Sequence, residues 1–200
     1  MSTVSIVYFS NSGSTEILAR AIARGAARIA GTQTNLLPIA GTQIIEGRWD
    51  DPDTIAALNE SDAIVFGTPT YMGGVAGQFK TFADATGGIW YNRGWKDKVA
   101  GGFTVSGSPS GDKSSTIAYL TILAAQHGMA WVGPVPLPSR LFSEGEGANR
   151  LGSSQGLIAD NPAAPGQAPQ IHPEDIRGAE LYGERLAEFA HRLEPAVVAA

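Results

Sequence analysis

The chain begins with a short apolar run, Val4-Ser5-Ile6-Val7-Tyr8-Phe9, which leads directly into the polar stretch Ser10-Asn11-Ser12-Gly13-Ser14-Thr15. A helical pattern of apolar residues begins immediately afterwards, at Glu16. When a buried strand passes through a hydroxyl-rich loop into a helix, free backbone N–H groups with partial positive charge lie at the start of that helix. The sequence therefore predicts an anion site formed by residues 10–15.

The composition of this loop indicates which kind of anion it is suited to bind. It contains four hydroxyl groups and one amide but no Lys or Arg. The triphosphate motif G-x-x-x-x-G-K-[ST] and the dinucleotide motif G-x-G-x-x-G are both absent from it. Neutral donors in this number suit a single terminal phosphate, because each charge-assisted hydrogen bond contributes about 1.5–3 kcal/mol. The alternative is that the serines and Gly13 only form a polar turn between a strand and a helix.

Length and composition limit the other classes of function. We expect residues 1–200 to form a single domain, with irregular insertions at 87–97 and 139–171. The absence of cysteine excludes disulfides, thiolate metal sites and cysteine nucleophiles. Asp50, Asp51 and Asp53 are interpreted as a turn and helix cap around Pro52, so no metal site is expected.

Charge and hydropathy bear on partners and location. The formal net charge is −5 and no basic stripe is present, so we expect no nucleic-acid partner. No apolar stretch reaches 18 residues, and no basic region precedes the first apolar run. We therefore expect no membrane partner, no signal peptide and a cytoplasmic location.

Short apolar runs alternate with helical patterns along the chain, which predicts an α/β fold. Strands are expected at 4–9, 34–39, 63–66, 99–105 and 131–135, and helices at 16–31, 53–60, 75–85, 114–126 and after Pro173. We expect a doubly wound, five-stranded parallel sheet of order 2-1-3-4-5 with helices on both faces. Ligands of such sheets bind outside the carboxyl ends of the strands.

That rule brings three loops together: residues 10–15, 67–74 and 106–113. The second reads Gly67-Thr68-Pro69-Thr70-Tyr71-Met72-Gly73-Gly74, in which Pro69 stiffens the turn and the last two glycines allow close approach to a flat ligand. The third includes Ser106-Gly107-Ser108-Pro109-Ser110-Gly111, whose N–H groups are suited to a ring that becomes negative. Three such loops at one edge favour a ligand site over simple turns.

In combination, these segments resemble WrbA-type NAD(P)H:quinone oxidoreductases of the flavodoxin-like superfamily. Residues 10–15 resemble the flavodoxin phosphate loop, and the likeness extends over roughly residues 4–138. The other matching segments are Gly67-Thr68-Pro69-Thr70 with Gly73, Gln78-Phe79-Lys80-Thr81-Phe82, Thr86-Gly87-Gly88-Ile89-Trp90, Val99–Val105 leading into Ser106-Gly107-Ser108, and His127-Gly128-Met129.

The resemblance implies a flavodoxin-like fold that binds FMN. It also implies NADH or NADPH as electron donor and a quinone or related small molecule as acceptor. The FMN phosphate would lie on the first loop and the isoalloxazine ring on the other two. The implied FMN contacts are Ser10, Asn11, Ser12, Gly13, Ser14, Thr15, Pro69, Thr70, Tyr71, Met72, Gly73, Ser106, Gly107, Ser108, Pro109, Ser110, Gly111 and His127.

The resemblance further implies a homotetramer in which neighbouring subunits complete each flavin site. His127 matches the family histidine that reaches the flavin site of a neighbouring subunit, and Trp90 matches the tryptophan beside the substrate. From the residues alone, His127 is equally suited to a helix C-terminus, and Trp90 to the core or an interface. Ser12 and Tyr71 stand where the family often has an aromatic and a basic residue, which leaves the choice of donor open.

Two other functions remain open at this point. The first is a one-electron carrier of flavodoxin type, and the second is a scaffold protein that has lost its flavin. Carriers tend to be shorter and more acidic. The aromatic segment 87–97 and the long segment 139–171 therefore favour an enzyme that transfers two electrons from NAD(P)H to a quinone.

Overall fold

The first apolar run forms a strand in the middle of a parallel sheet. The structure is a computed structural model that describes residues 1–135 and 148–193. In chain order the strands are β1 (Ser2–Tyr8), β2 (Thr32–Pro38), β3 (Ile44–Ile45), β4 (Arg48–Trp49), β5 (Ala63–Tyr71), β6 (Gly74–Val75), β7 (Val99–Ser106), β8 (Ala130–Trp131) and β9 (Leu157–Asp160). The helices are α1 (Ser14–Ala26), α2 (Pro52–Glu60), α3 (Gly77–Ala85), α4 (Gly87–Tyr91), α5 (Lys113–Gln126) and α6 (Pro173–Leu193).

The central sheet has the order β2-β1-β5-β7-β8, and these strands are all parallel. Ile6 in the middle of β1, for example, pairs with Leu36 on one side and with Val65 on the other. The α/β class with a parallel central sheet is confirmed. The order matches the expected 2-1-3-4-5 in part: the first four positions agree, whereas the fifth strand is only the two residues of β8, and β6 and β9 bring the sheet to seven strands. The short hairpin β3–β4 forms a separate small sheet, and β6 folds back on the end of β5.

The last position of the sheet is divided between two strands. β8 pairs only with Val99 and Ala100, at the beginning of β7, whereas β9 pairs with residues 103–106 at its end. The sequence gives no expectation of β9, which lies within the segment 139–171 that we expected to be irregular. Of that segment, residues 139–147 lie outside the described residues.

A tyrosine from the last helix fills the gap between β8 and β9. The hydroxyl of Tyr182 accepts a hydrogen bond from the N–H of Gly102 at 3.1 Å and donates one to the carbonyl of Val132 at 2.5 Å. Gly102 lies between the parts of β7 that pair with β8 and with β9. The buried phenol therefore replaces part of the backbone pairing that is missing there.

Helices cover both faces of the sheet, as expected. On one face, α1 and α6 pack closely, since a Cβ atom at Gly25 would lie 1.8 Å from the carbonyl oxygen of Glu180. A Cβ atom at Gly183 would lie 2.0 Å from the carbonyl oxygen of Ile22. The core of the other face contains the aromatic residues Phe66, Phe79, Phe82 and Trp95.

Helix boundaries differ from the sequence expectations at several ends. Helix α1 begins two residues before Glu16, inside the polar loop, and ends at Ala26 rather than continuing to Gly31. The segment 87–97 is not wholly irregular, because it begins with the short helix α4. The cap predicted around Pro52 is confirmed: the Asp51 carboxylate accepts hydrogen bonds from the N–H groups of Asp53 and Thr54, each at 3.1 Å.

Candidate functional site

The loops that follow β1, β5 and β7 converge at the carboxyl edge of the sheet, as the parallel topology requires. Together they border a cleft of about 200 Å³. A fourth segment, which follows β9, forms the remaining wall. The residues of the three loops that line the cleft are Asn11, Ser12, Ser14, Thr15, Pro69, Tyr71, Ser106 and Gly107, and those of the fourth wall are Asn161 and 163–167.

The first loop is shaped by Ser10 and Gly13. The hydroxyl oxygen of Ser10 accepts hydrogen bonds from the N–H of Gly13 at 3.1 Å and of Glu16 at 3.3 Å. Gly13 has φ of 92°, a left-handed conformation that favours glycine, and helix α1 begins at the next residue. The N–H groups of Ser14 and Thr15 belong to the first turn, so they have no acceptor within the helix.

These contacts distinguish two tasks within the first loop. Ser10 holds the backbone in shape, whereas Ser12, Ser14 and Thr15 line the cleft. The loop itself has no charged side chain. What it presents to a ligand is therefore hydroxyl groups and the positive end of a helix, a combination suited to a phosphate.

The second loop is a tight hairpin rather than an open turn. β5 continues to Tyr71 and pairs with β6, so that Thr70 lies opposite Val75. The hydroxyl of Thr70 is buried and bonded to those of Thr104 and Thr116, each at 2.8 Å. Pro69 and Tyr71 line the cleft, whereas Met72 is fully exposed at the tip of the hairpin.

The tip has a distinctive backbone. Met72 has φ of 47° and Gly73 has φ of 75°, so two successive residues are left-handed, as in a two-residue hairpin turn. The hydroxyl of Ser115 donates to the carbonyl of Gly73 at 2.5 Å, which fixes the tip against the start of α5. This backbone conformation is strained for a non-glycine residue, and it leaves the side chain of Met72 fully exposed at the tip.

The third loop is closed around a buried lysine. Lys113, the first residue of α5, is only 1% exposed, and its ammonium donates to the hydroxyl of Ser106 at 2.9 Å and to the carbonyl of Ser108 at 2.5 Å. Ser106 and Gly107 line the cleft, whereas residues 108–111 form the outer part of the loop. No sequence pattern predicts a role for Lys113. The one available signal is its position shortly after the Gly-rich loop 106–111.

Carboxylates and an arginine surround this lysine at longer range. Burial lowers the pKa of Lys113, and the negative charges of Asp160 and Asp175 partly oppose that shift. Arg150 is bonded to both carboxylates, with a distance of 2.6 Å between its Nη2 and the Oδ2 of Asp175. Burial raises the pKa of Asp175, although its ion pair with Arg150 acts in the opposite direction.

Asn161 joins the fourth wall to the first and third loops. Its amide nitrogen donates to the hydroxyl of Ser14 at 2.8 Å, and its backbone N–H donates to the carbonyl of Ser106 at 2.9 Å. Its side-chain oxygen accepts from the N–H groups of Ala163 at 3.3 Å and Gln170 at 2.8 Å. The apolar run 157–159 followed by Asp160-Asn161-Pro162 is the signal that could have revealed this strand and turn.

His127 and Trp90 lie together in a different pocket, of about 300 Å³, which shares no lining residue with the cleft. His127 is 4% exposed, its Nε2 is 2.9 Å from the hydroxyl oxygen of Thr86, and its ring packs against Trp95 with centroids 4.5 Å apart. Burial lowers its pKa. Among the described residues, none forms a hydrogen bond with its buried Nδ1.

The structure thus brings the three predicted loops together but does not bring His127 and Trp90 to them within one chain. Trp90 is about half exposed, at 48%. In residues 1–135 and 148–193, no group of three His, Asp or Glu side chains is arranged to hold a metal ion. Nor does this part of the chain contain a helix that is long and apolar enough to cross a membrane.

Two bacterial proteins resemble the chain over nearly its whole length. A protein named flavodoxin FldP, from Pseudomonas aeruginosa, is 39% identical over 196 residues, which cover 96% of this chain and 99% of that protein. A protein named NAD(P)H dehydrogenase (quinone), from Chromohalobacter salexigens, is 33% identical over 205 residues, covering 96% and 99%.

A solved structure and a family model agree with these relatives. The crystal structure of a WrbA-like flavodoxin from Agrobacterium tumefaciens superimposes with a TM-score of 0.73 at 36% identity, covering 97% of this chain and all of that one. The model of the NADPH-dependent FMN reductase family matches residues 4–139. The chain therefore belongs to the NADPH-dependent FMN reductase family, with FMN as its cofactor and NAD(P)H as the electron donor, as the sequence resemblance implied.

Proposed function

We propose that the protein is an FMN-dependent oxidoreductase that transfers two electrons from NADH or NADPH to a quinone or a similar small acceptor. The observation that carries this proposal is the convergence of three loops at one cleft. One of them, residues 10–15, has no charged side chain and leads directly into the N-terminus of α1. The relative named a quinone dehydrogenase supports the choice of acceptor. The geometry supports FMN as the ligand of this cleft.

The donors of the first loop fit the phosphate of FMN. Hydroxyl groups of Ser12, Ser14 and Thr15 line the cleft beside the first-turn N–H groups of α1. A dianion at a helix N-terminus is stabilised by the helix dipole and by charge-assisted hydrogen bonds, so no cation is required in the loop. We assign the phosphate to residues 10–15.

The other two loops fit a flat ring. Pro69 and Tyr71 border the cleft on one side, and Ser106 and Gly107 border it on another. The hydroxyl of Thr70 is occupied by Thr104 and Thr116, so its contribution to a ligand is limited to its backbone. Isoalloxazine bound there supplies the electron-transfer chemistry, while the loops orient the ring and exclude water.

His127 and Trp90 are proposed to act across a subunit boundary. Their pocket is separate from the cleft of the same chain, and Trp90 is exposed on its rim. In a homotetramer, this pocket would complete the flavin site of a neighbouring subunit, with Trp90 beside the acceptor. Because burial lowers the pKa of His127, its imidazole is neutral at neutral pH and is suited to hydrogen bonding with a quinone oxygen.

The decisive experiment measures donor and acceptor together. The purified protein, reconstituted with FMN, is titrated anaerobically with NADH and with NADPH, with and without a benzoquinone. We expect rapid bleaching of the flavin, recovery of its absorbance on adding the quinone, and parallel double-reciprocal plots from a shared site. The proposal is overturned if the protein retains no bound flavin after incubation with FMN, or if neither NADH nor NADPH reduces the bound flavin. Double-reciprocal plots that converge would overturn the shared site.

The assembly is tested separately by the molar mass in solution and by two variants. His127→Gln and Trp90→Ala should lower the rate of quinone reduction by a larger factor than they weaken the binding of FMN. Sedimentation should give four times the chain mass. A fully active monomer would overturn the role of both residues across a boundary.

A one-electron carrier is the second candidate, because the relative named flavodoxin FldP is 39% identical over nearly the whole chain. Stepwise anaerobic photoreduction separates the two functions. An enzyme that transfers electron pairs should pass from oxidised to fully reduced flavin in one resolved step. Two well-separated one-electron steps, together with slow oxidation of NAD(P)H, would support the carrier instead.

A further inference from the structure

One buried charge at the cleft is not used by the proposed function. Lys113 is 1% exposed, and its ammonium is bonded to two oxygen atoms of the third loop. The loop is folded tightly at this point, since a Cβ atom at Gly111 would lie 2.1 Å from the Oγ of Ser106. Ser106 Oγ also donates to the carbonyl of Ser108 at 3.1 Å. The loop is therefore organised around the ammonium group.

A buried ammonium carries a desolvation cost that neutral side chains in the same place would avoid. Two carboxylates, those of Asp160 and Asp175, act on the Lys113 ammonium through their negative charges, and both are bonded to Arg150. No carboxylate among the described residues forms an ion pair with Lys113 itself. Its charge is consequently directed at the loop rather than being neutralised by a bonded partner.

The position of this charge relates it to the cleft. Ser106 lines the cleft, and the ammonium lies 2.9 Å behind its hydroxyl oxygen. A hydride from NAD(P)H adds two electrons and one proton to FMN and releases NAD(P)⁺, so the flavin gains one negative charge. A fixed positive charge one hydroxyl away favours the more negative form, because Coulomb interactions are strong in a partly desolvated site.

We propose that Lys113 is a positioning residue that holds the third loop and, through Ser106, raises the reduction potential of the bound flavin. This inference rests on the proposed placement of FMN in the cleft. Removing the charge should weaken the binding of reduced FMN relative to oxidised FMN by about tenfold. For a two-electron couple, that ratio corresponds to a potential about 30 mV more negative.

The chain offers a matched control at the other end of the same strand. Lys98 is half-buried immediately before β7, and its ammonium donates to the carbonyls of Asn59 and Ser61. The length of β7 places it about 25 Å from the third loop. Lys98→Met removes the same charge and comparable backbone contacts, but it should leave the potential unchanged.

The experiment measures the midpoint potential of the FMN-loaded protein, by equilibration with a reference dye, together with the dissociation constant of oxidised FMN. Lys113→Met should shift the potential negative, and Lys113→Arg should restore most of it. Asp160→Asn removes a carboxylate from the same cluster and should shift the potential in the positive direction. That opposite shift is not expected of a variant that is merely less stable. If Lys113→Met does not fold, an unchanged or more negative potential in Asp160→Asn overturns the inference.

The outcomes separate this inference from the proposed function. If the wild-type protein does not bind FMN, the proposed function fails first. If FMN binds but neither Lys113→Met nor Asp160→Asn changes the potential, the role of Lys113 is overturned and the flavin site stands. Equal shifts in Lys113→Met and Lys98→Met would show a general charge effect and would also overturn it.

Discussion

In the proposed FMN site, the first and third loops of the cleft would contact the same ligand by opposite means. Residues 10–15 present neutral hydroxyls and the N-terminus of α1, with no charged side chain in the loop. Residues 106–111 fold around the buried ammonium of Lys113. The phosphate keeps its charge throughout the reaction, so fixed dipoles suffice for it. The flavin ring changes its charge on reduction, and in the proposed site the Lys113 ammonium would act on that change.

The two loops also differ in which residues of the protein stabilise them. The first loop is shaped mainly by local contacts, chiefly those of the Ser10 hydroxyl with the N–H groups of Gly13 and Glu16. Asn161 adds one distant hydrogen bond to Ser14. The third depends on distant residues, since the carboxylates of Asp160 and Asp175, which are bonded to Arg150, oppose the effect of burial on the pKa of Lys113. Substitutions should therefore affect binding at the first loop, and potential and stability at the third.

The largest effect is expected when the first loop loses two hydroxyls. Ser10→Ala with Thr15→Ala should weaken FMN binding by about 3–6 kcal/mol, a factor of about 10² to 10⁴, because charge-assisted hydrogen bonds and the loop shape are both lost. Titration calorimetry with FMN measures the change. Riboflavin, which lacks the phosphate, serves as the control ligand and should be affected far less. An unchanged FMN affinity would mean that the phosphate lies elsewhere.

The next largest effect is expected at the gap in the sheet, between β8 and β9. Tyr182→Phe leaves the N–H of Gly102 and the carbonyl of Val132 buried without their partner, which costs about 1–3 kcal/mol. Urea unfolding of the apoprotein measures the loss. Tyr119→Phe, on the opposite helix layer, is the matched control and should change stability by less than about 0.5 kcal/mol. Equal losses in both variants would contradict the role assigned to the Tyr182 hydroxyl.

A smaller effect is expected at the residue that joins the two loops. Asn161→Ala removes side-chain hydrogen bonds to Ser14, Ala163 and Gln170, each with a net contribution of about 0.5–1.5 kcal/mol. Because only the bond to Ser14 acts directly on the first loop, FMN affinity should fall by about tenfold, less than in the double variant of that loop. Proteolysis of the fourth wall should accelerate. Affinity unchanged from wild type would separate this wall from the phosphate site.

The same contrast explains what could be predicted from the sequence. The first loop was predictable, because a strand, a polar turn and a helix follow one another in the chain and their chemistry is local. The sheet order followed from the alternation of apolar runs and helical patterns. The places of Lys113 and Asn161 at the cleft were not predictable, because they depend on residues far away in the chain, such as Asp160 and Asp175 for Lys113 and Ser14 for Asn161.

The fifth position of the sheet is a second feature that the sequence did not fully predict. Its first part, β8, is followed by a long segment before β9 resumes beside β7, and the four residues of β9 are too few for a clear periodic pattern. Tyr182 stabilises this interruption from 50 residues away in the chain. A pattern of apolar residues indicates that a strand is buried, but it does not indicate which side chain substitutes for a missing backbone partner.

The smallest effect concerns pH, and it distinguishes the two loops most directly. Burial lowers the pKa of Lys113 in the folded protein, so between that pKa and the unfolded value of about 10.4 the unfolded chain binds more protons. The contribution of this group to the free energy of unfolding therefore rises with pH in that window. It reaches its full value above about pH 10.4 and is lost as the pH falls from there through the folded pKa.

The free energy of unfolding of the wild type minus that of Lys113→Met should therefore increase as the pH approaches about 10, as measured by urea unfolding of the apoproteins. The double variant of the first loop removes no titratable group, so its difference from wild type should stay constant over the same range. A constant difference for Lys113→Met would mean that this ammonium is no harder to keep charged in the fold than in the unfolded chain.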